Sequence, residues 1–274
     1  MPRGPLSTLE PIGWVSCPQR YRYEAPRQGV LLPETEAVIQ LRDGCDFESA
    51  LDGLEGFERI WVIFEFHLNE SWQPRVQPPR EGEPRRGVFA TRSPHRPNRI
   101  GLSCVRLLSI DGLQLTVAGH DLLDRTPVWD LKPYVPYADA FAEAGSGWLD
   151  EVISTRFDID FTPDATTDAA WILEHGGLDC VNFARVQLMS DPTDAERKRI
   201  TSTGPDTYSI AYRTWRLDYT VDGAGKLVTV VGIRSGYDAE ALASDEDRHG
   251  DKPVHRAYPE RHDPSKLADP GPSS

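Results

Sequence analysis

The chain has 274 residues, of which 39% are hydrophobic, enough for one large or two smaller packed domains. Its formal net charge of −13 at pH 7 argues against a protein that coats nucleic acid through general positive charge. No apolar run has the length of a membrane span, no signal-peptide core opens the chain, and four scattered cysteines without a CxxC pair favour a reducing, cytoplasmic location without disulfides or a metal site.

The first half of the sequence predicts a β-rich domain. Short runs of β-branched and aromatic residues are separated by Gly, Pro, Asp and Asn, as in sheets built from short strands. The predicted strands cover residues 12–17, 37–41, 59–66, 87–91, 101–110 and 113–120. Asp111 and Gly112 predict a tight hairpin between the last two. Because no amphipathic helices separate these strands, we expect a barrel or a sandwich rather than a parallel α/β sheet.

An arginine-rich segment follows the third predicted strand. Residues 67–86 hold four prolines and predict a long loop, and residues 72–106 contain eight arginines, no lysine and two glutamates. Arginine suits two-point binding of carboxylate or phosphate groups, and Pro94 and Pro97 reduce the entropy lost on binding. The pattern predicts a preorganised anion site; a solvated surface loop is the ordinary alternative.

An aspartate-rich segment covers residues 119–141, where Asp121 and Asp124 flank two leucines. At a strand end both carboxylates can face one pocket while Leu122 and Leu123 pack beneath them. The alternative is a turn in which the two aspartates cap backbone amides. We favour the pocket because an arginine-rich and an aspartate-rich corner occur in the same β-rich domain.

The second half predicts a smaller α+β domain. A capped helix is predicted to end at Gly176, and the turn at 222–225 joins predicted strands at 207–221 and 226–237. The predicted divisions of the chain are a first domain at 1–145, a connector at 146–165, a second domain at 166–262 and a disordered tail at 263–274.

Four segments carry a resemblance when they are taken in order: APRQG (25–29), FEFH (64–67), GVFATRSPHRPNRIGLS (87–103) and DLLDRTPVWDLKPYVPYAD (121–139). Together they resemble the TsaA-like family of TrmO-type tRNA methyltransferases, closely over residues 10–142. The resemblance implies a mainly β fold, a β-barrel with a smaller C-terminal α+β domain, with S-adenosylmethionine at the open end of the barrel. It also implies a homodimer that methylates threonylcarbamoyladenosine at position 37, beside the tRNA anticodon.

The same resemblance implies the functional residues. The implied methyl-donor site contains Pro26, Arg27, Gln28, His67, Leu68, Arg92, Leu102, Asp121, Leu122, Leu123 and Asp124. Because the acceptor nitrogen is weakly basic, a group that removes its proton would help, and we predict catalytic roles for Asp124, Asp130 and Tyr137, with His67 as a further candidate base. The groups predicted to contact the RNA are Arg85, Arg86, Arg96, Asn98, Arg99 and Lys132.

One departure from the family and two alternative functions stay open at this point. Arg125 stands where the family usually has glycine in DLxDGTP, and that glycine is expected to adopt a left-handed backbone conformation, which suits arginine poorly. The first alternative is an S-adenosylmethionine-binding regulatory module without tRNA methylation. The second is a methyltransferase that acts on another RNA or on a small molecule.

Overall fold

The computed structural model describes residues 9–78, 84–149, 156–196 and 198–258. The chain divides into two compact units, residues 1–152 and 153–274, and each has its own apolar core. The predicted tail at 263–274 lies outside the described residues. Among the residues that are described, no helix combines the length and the apolar character that a membrane span requires.

The first unit is a closed barrel of six strands in the order β1-β2-β7-β6-β3-β8, so the predicted β-barrel is confirmed. All neighbouring strands pair antiparallel. Its elements are β1 (Gly13–Ser16), β2 (Glu36–Leu41), α1 (Phe47–Ala50), β3 (Arg59–Glu65), β4 (Arg75–Val76), β5 (Arg86–Gly87), β6 (Ile100–Asp111), β7 (Gln114–Ala118), β8 (Pro127–Pro133) and α2 (Pro136–Asp139).

Strand β3 shows which side chains fill the barrel and which lie on its outer surface. Ile60, Val62 and Phe64 are buried, whereas the alternate residues, including Arg59 and Trp61, are only partly covered. This period of two follows from the pleat of a strand. Side chains fill a barrel of so few strands, so ligands have access to its rim and outer face rather than to its interior.

Two features of the first unit differ from the predictions. The segment at 87–91 is not a strand, because β5 ends at Gly87 and a 3-10 turn follows at Val88–Ala90. Strand β8 was not predicted, since its prolines and Asp130 hide the alternation of apolar residues. The predicted hairpin between β6 and β7 is confirmed, with Gly112 at φ 56°.

The second unit is a five-stranded sheet in the order β10-β11-β12-β13-β9, with two helices contributing to the core on one face, so the predicted α+β class is confirmed. Strand β9 pairs parallel with β13, and the other pairs are antiparallel. Its elements are β9 (Asp158–Phe161), α3 (Pro163–Gly176), α4 (Cys180–Leu188), β10 (Ile200–Gly204), β11 (Thr207–Tyr212), β12 (Trp215–Asp222), β13 (Leu227–Ser235), α5 (Ala239–Ala243) and α6 (Lys252–Ala257).

Helix α3 ends at Gly176 as predicted but begins earlier than expected. The side chain of Thr162 accepts a hydrogen bond from the amide of Ala165, and Pro163 occupies the first turn, where its missing N–H costs nothing. The segment predicted as a connector at 146–165 therefore includes β9 and the start of α3.

The run at 207–221 was predicted as one strand, but it forms β11 and β12. Tyr212 pairs with Trp215, so the turn between the strands has two residues, Arg213 and Thr214. Arg213 has φ 53°, a conformation usually taken by Gly, Asn or Asp in such turns. The usual turn residues are absent from the sequence here, which is why the hairpin was missed.

Candidate functional site

A cavity of about 890 Å³ opens at the barrel rim. Its wall combines the loop before β2, strand β3, the loop before β6 with the start of that strand, and the segments before and after β8. These pieces are distant in sequence, but antiparallel pairing brings the end of β3 beside the start of β6. The volume is within the range of cofactor and small-molecule sites.

Most of the predicted methyl-donor residues meet at this cavity. The ones that line it are Pro26, Arg27, Gln28, His67, Leu68, Arg92, Leu102, Asp121, Leu122 and Leu123. Asp124 is absent from the wall. The structure therefore brings together, in one place, the four segments that carry the family resemblance.

The arginine side of the cavity is held by side-chain and backbone contacts. Arg92 donates a hydrogen bond from Nη1 to Oε1 of Gln28 at 2.5 Å, and Gln28 donates from Nε2 to the carbonyl of Arg27 at 2.7 Å. Gly29 lies so close to the backbone of Gly119 that a Cβ at position 29 would be 1.9 Å from the carbonyl oxygen of Gly119. The loop is thus fixed on the end of β7, with Arg27 and Arg92 at the same opening.

The cavity wall also presents the carboxylate of Asp121. The hydroxyl of Ser103 donates a short hydrogen bond to it. Burial raises the pKa of Asp121, and the hydrogen bond from Ser103 and the charge of Arg92 oppose this effect without cancelling it. A carboxylate that has lost water in this way interacts strongly with a cation placed beside it.

Asp124 has the backbone-capping role that was the alternative interpretation of this segment. Its Oδ1 accepts a hydrogen bond from the amide of Cys17 at 3.3 Å, and its Oδ2 lies 3.8 Å from Nε of Arg125. The pocket interpretation therefore describes Asp121, and the capping interpretation describes Asp124.

The structure does not bring Asp130 or Tyr137 to the cavity either. Asp130 accepts a hydrogen bond from the amide of Leu131 and pairs with Lys132, with both distances at 2.9 Å, while 92% of Tyr137 is exposed. His67 does line the cavity, and burial lowers its pKa, so the neutral imidazole is the dominant form at neutral pH.

Among the predicted RNA contacts, only Arg96 lines the cavity. Arg96 donates to the carbonyls of Val88 and Thr91, which makes it a brace of its own loop. Arg99 pairs with Glu65 at 2.7 Å.

The other predicted RNA contacts lie outside the cavity wall. Arg85 donates to the carbonyl of Arg75 at 2.6 Å, and Arg86 stacks over the ring of Trp148 at 5.2 Å. Asn98 and Lys132 are exposed. The predicted RNA set is therefore spread over the surface of the first unit.

The cavity has an aromatic end, where Tyr134 is a residue that the sequence already offers as a candidate to orient the substrate and Trp61 is a residue that it does not predict. Trp61 and Tyr134 lie with ring centroids 5.7 Å apart at an interplanar angle of 59°. The indole N–H of Trp61 donates to Asp139 at 3.0 Å, and the amide of Val135 donates to the same carboxylate oxygen. These hydrogen bonds lower the pKa of Asp139 and fix the indole ring. The signal available in the sequence was a tryptophan on the outward phase of a half-buried strand.

Arg125 has φ 62°, which confirms that this position requires a left-handed backbone. Its amide donates to the carbonyl of Val15 at 2.8 Å, so the conformation is held by the barrel. The side chain is 89% exposed and pairs weakly with Asp124 at 3.8 Å.

We expect Arg125→Gly to raise the free energy of unfolding by about 0.5–1 kcal/mol, because glycine avoids the left-handed strain while its greater freedom in the unfolded chain offsets part of the gain. Urea unfolding measures this difference. An Arg125→Ala variant is the control and should show no gain, and equal stabilisation by both variants would contradict the explanation.

Across the described ranges, no three His, Cys, Asp or Glu side chains cluster as a metal site would require. All four cysteines, Cys17, Cys45, Cys104 and Cys180, are free.

Comparisons with known proteins identify relatives of this chain. The family model for the tRNA-methyltransferase O N-terminal domain matches residues 14–140. The tRNA (adenine(37)-N6)-methyltransferase of Escherichia coli is 34% identical over 220 residues, which cover 78% of this chain and 91% of that protein. A putative S-adenosylmethionine-dependent methyltransferase of Pseudomonas aeruginosa is 45% identical over 146 residues, with 52% of this chain and only 63% of that protein covered. A crystal structure of TrmO from Pseudomonas aeruginosa has a TM-score of 0.61 and 30% identity, and covers 84% of this chain and 99% of that one.

Proposed function

Since the chain belongs to the tRNA-methyltransferase O family, we propose that it transfers a methyl group from S-adenosylmethionine to N6 of the adenosine at position 37 of tRNA. The observation that carries the proposal is the cavity at the barrel rim, where arginines and a desolvated aspartate converge. The adenosine is proposed to carry the threonylcarbamoyl group, and the site to bind the anticodon loop.

The residues at this cavity fit the charges of the methyl donor. In S-adenosylmethionine the methyl group is bonded to a positively charged sulfur, which becomes neutral when the methyl group is transferred. The molecule also carries a carboxylate. We assign the carboxylate to Arg92 and Arg27, since arginine binds carboxylates at two points. We assign the positively charged sulfur to Asp121, because Ser103 and Arg92 only partly compensate the burial of this carboxylate.

The aromatic end of the cavity suits the base that accepts the methyl group. A nucleobase taken out of its stack is held by aromatic side chains, and Trp61 and Tyr134 offer such a surface. Much of the rate enhancement then comes from holding the acceptor nitrogen in line with the methyl carbon.

The acceptor nitrogen must lose a proton as its bond to the methyl carbon forms. We assign to His67 the role of the base that accepts this proton, because burial keeps its imidazole neutral and the side chain lines the cavity. Nδ1 of His67 lies 3.4 Å from the hydroxyl oxygen of Thr126, which restricts the orientation of the ring. The catalytic roles of Asp124, Asp130 and Tyr137 stay predictions, as do the homodimer and the cytoplasmic location.

The proposal is tested by incubating the full chain with methyl-labelled S-adenosylmethionine and tRNA from cells that lack this gene. We expect label in the modified adenosine at position 37. Label confined to another RNA or a small molecule, or donor binding without transfer, would contradict the proposal and favour one of the alternative functions.

A variant at Trp61 tests the role of the aromatic end of the cavity. Trp61→Ala is expected to raise the KM for tRNA about tenfold, because stacking of one base on an aromatic ring contributes roughly 1–3 kcal/mol. The affinity for S-adenosylmethionine should stay unchanged in a calorimetric titration. Trp14→Ala is the matched control, since Trp14 is 43% exposed on β1 and does not line the cavity. An unchanged KM for Trp61→Ala would remove the indole ring from the acceptor site.

A further inference from the structure

Three arginines form a row across one face of the sheet in the second unit. Arg216 of β12 is directly opposite Arg234 of β13, and on its other side Arg216 is opposite Ala211 of β11. The amide of Ala211 donates to the carbonyl of Arg199 at 3.0 Å, which brings Arg199 to the same row. The row therefore crosses neighbouring strands, and only the small side chain of Ala211 interrupts it.

The row lies on the face opposite the core. The residues flanking it along each strand, such as Ile210, Leu217 and Ile233, are buried in the apolar core that α3 and α4 share. Alternation along a strand sends their neighbours to the other face. Arg199 and Arg234 are exposed and Arg216 is partly covered, so the guanidinium groups are within reach of solvent.

This arrangement is unfavourable for the sheet itself, because like charges directly opposite each other on paired strands destabilise it. The pKa of Arg216 is lowered by burial and then by the charges of Arg234 and Arg199. Arg216 donates from Nη1 to the carbonyls of Trp215 and Arg213, which hold it in place without neutralising it. A protein with a net charge of −13 thus concentrates positive charge at one place on this sheet.

Acidic groups on the same sheet compensate the charge of the row only in part. Asp218 pairs with Arg234, with 2.8 Å between Oδ2 and Nε. Asp158 and Asp160 belong to β9, which pairs with β13 only at Leu227–Val230, away from Arg234. Asp218 therefore compensates much of the charge of Arg234, and the positive charge of this face lies mainly at Arg216 and Arg199. A ligand with repeated negative charges is attracted to that part of the face and repelled from the edge that β9 forms.

We propose that the row of Arg199, Arg216 and Arg234 binds the phosphate backbone of tRNA, so that the second unit acts as a docking surface for the RNA. This inference rests on the proposed function for the choice of tRNA as the polyanion. The occupant is a phosphodiester chain because arginines spaced across strands suit a series of phosphates.

The test is the double variant Arg216→Gln and Arg234→Gln in the full chain. Binding of unmodified tRNA is measured by fluorescence anisotropy over a range of salt concentrations. We expect affinity to fall about tenfold at near-physiological salt and the slope of log K against log salt to decrease by about 1.5–2, as for two lost phosphate contacts. The KM for tRNA should rise while kcat and the affinity for S-adenosylmethionine stay unchanged.

Two controls separate this surface from general charge effects and from misfolding. Arg185→Gln with Arg248→Gln removes the same charge from exposed positions outside the row and should keep wild-type affinity. Arg216→Lys with Arg234→Lys keeps the charge and should lose less than about threefold. Wild-type affinity and salt slope in the Gln double variant would overturn the proposal.

The same experiment distinguishes a failure of this inference from a failure of the proposed function. Wild-type protein that methylates tRNA, with a KM that the Gln variant leaves unchanged, would refute the docking surface alone. Wild-type protein that binds tRNA through the row without methylating it would refute the proposed function alone.

Discussion

Replacing Asp121 with asparagine is expected to weaken the binding of S-adenosylmethionine about 30-fold, because the variant loses a desolvated charge opposite the sulfonium, an interaction of roughly 2 kcal/mol. The product S-adenosylhomocysteine has a neutral sulfur, so its affinity should fall less than about threefold. Calorimetric titration with both ligands measures this difference. Equal losses for the two ligands would show that Asp121 does not face the sulfonium.

The pH dependence of the same variant gives an independent result. Burial raises the pKa of Asp121 in the free protein, so its contribution to stability is present at low pH and is lost as pH rises through that raised pKa. Asparagine has no charge to desolvate. We therefore expect the variant to have a higher free energy of unfolding than the wild type above the raised pKa. Well below the pKa that Asp121 has in the unfolded chain, the two free energies should be equal. Wild-type affinity for the donor should fall as pH drops through the raised pKa, and the variant should lose this dependence.

Asp124→Asn is the matched control for the calorimetric titrations with S-adenosylmethionine and S-adenosylhomocysteine. Its carboxylate caps the amide of Cys17 and does not line the cavity. We expect this variant to bind both ligands like the wild type. A larger loss of donor affinity in Asp124→Asn than in Asp121→Asn would reverse the assignment of the two aspartates.

Replacing Arg92 with glutamine is expected to weaken both S-adenosylmethionine and S-adenosylhomocysteine about 10- to 100-fold, since a hydrogen bond between charged groups contributes roughly 1.5–3 kcal/mol. Both ligands carry the carboxylate that Arg92 is proposed to bind. Decarboxylated S-adenosylmethionine lacks it, so the variant and the wild type should bind that analogue with similar affinity. Calorimetry with the three ligands measures the comparison.

Arg125→Gln provides the control for Arg92, because it removes an arginine from the same unit whose side chain is 89% exposed. This variant should keep wild-type affinity for all three ligands. If Arg92→Gln weakened the decarboxylated analogue as strongly as the donor, Arg92 would act by supporting Gln28 rather than by binding the carboxylate.

The sequence was most informative where residues that carry chemistry lie close together in the chain. The segments around Arg27, His67, Arg92 and Asp121 were singled out from their residue types and the family resemblance, and all of them line one cavity. Short-range signals such as the turn at Gly112 and the end of α3 at Gly176 were also sufficient. Each depends on a local conformational preference that the tertiary structure does not override.

Long-range pairing decides the features that the sequence did not reveal. The position of Trp61 beside Tyr134 depends on the register between β3 and β8, and the row of Arg216 and Arg234 depends on the register between β12 and β13. The separate roles of Asp121 and Asp124 depend on their tertiary contacts, since Asp124 accepts a hydrogen bond from the amide of Cys17, directly after β1, and Asp121 accepts one from Ser103. Residue type and spacing alone do not contain that information.

The account depends most directly on where the methyl donor binds, and amide hydrogen exchange of the full chain with and without S-adenosylmethionine measures this. We predict slower exchange in the donor complex at residues 25–31, 66–69, 91–103 and 119–124, with little change in the described part of the second unit. Binding that leaves these segments unprotected, or that protects only residues elsewhere, would contradict the assignment of the rim cavity as the donor site.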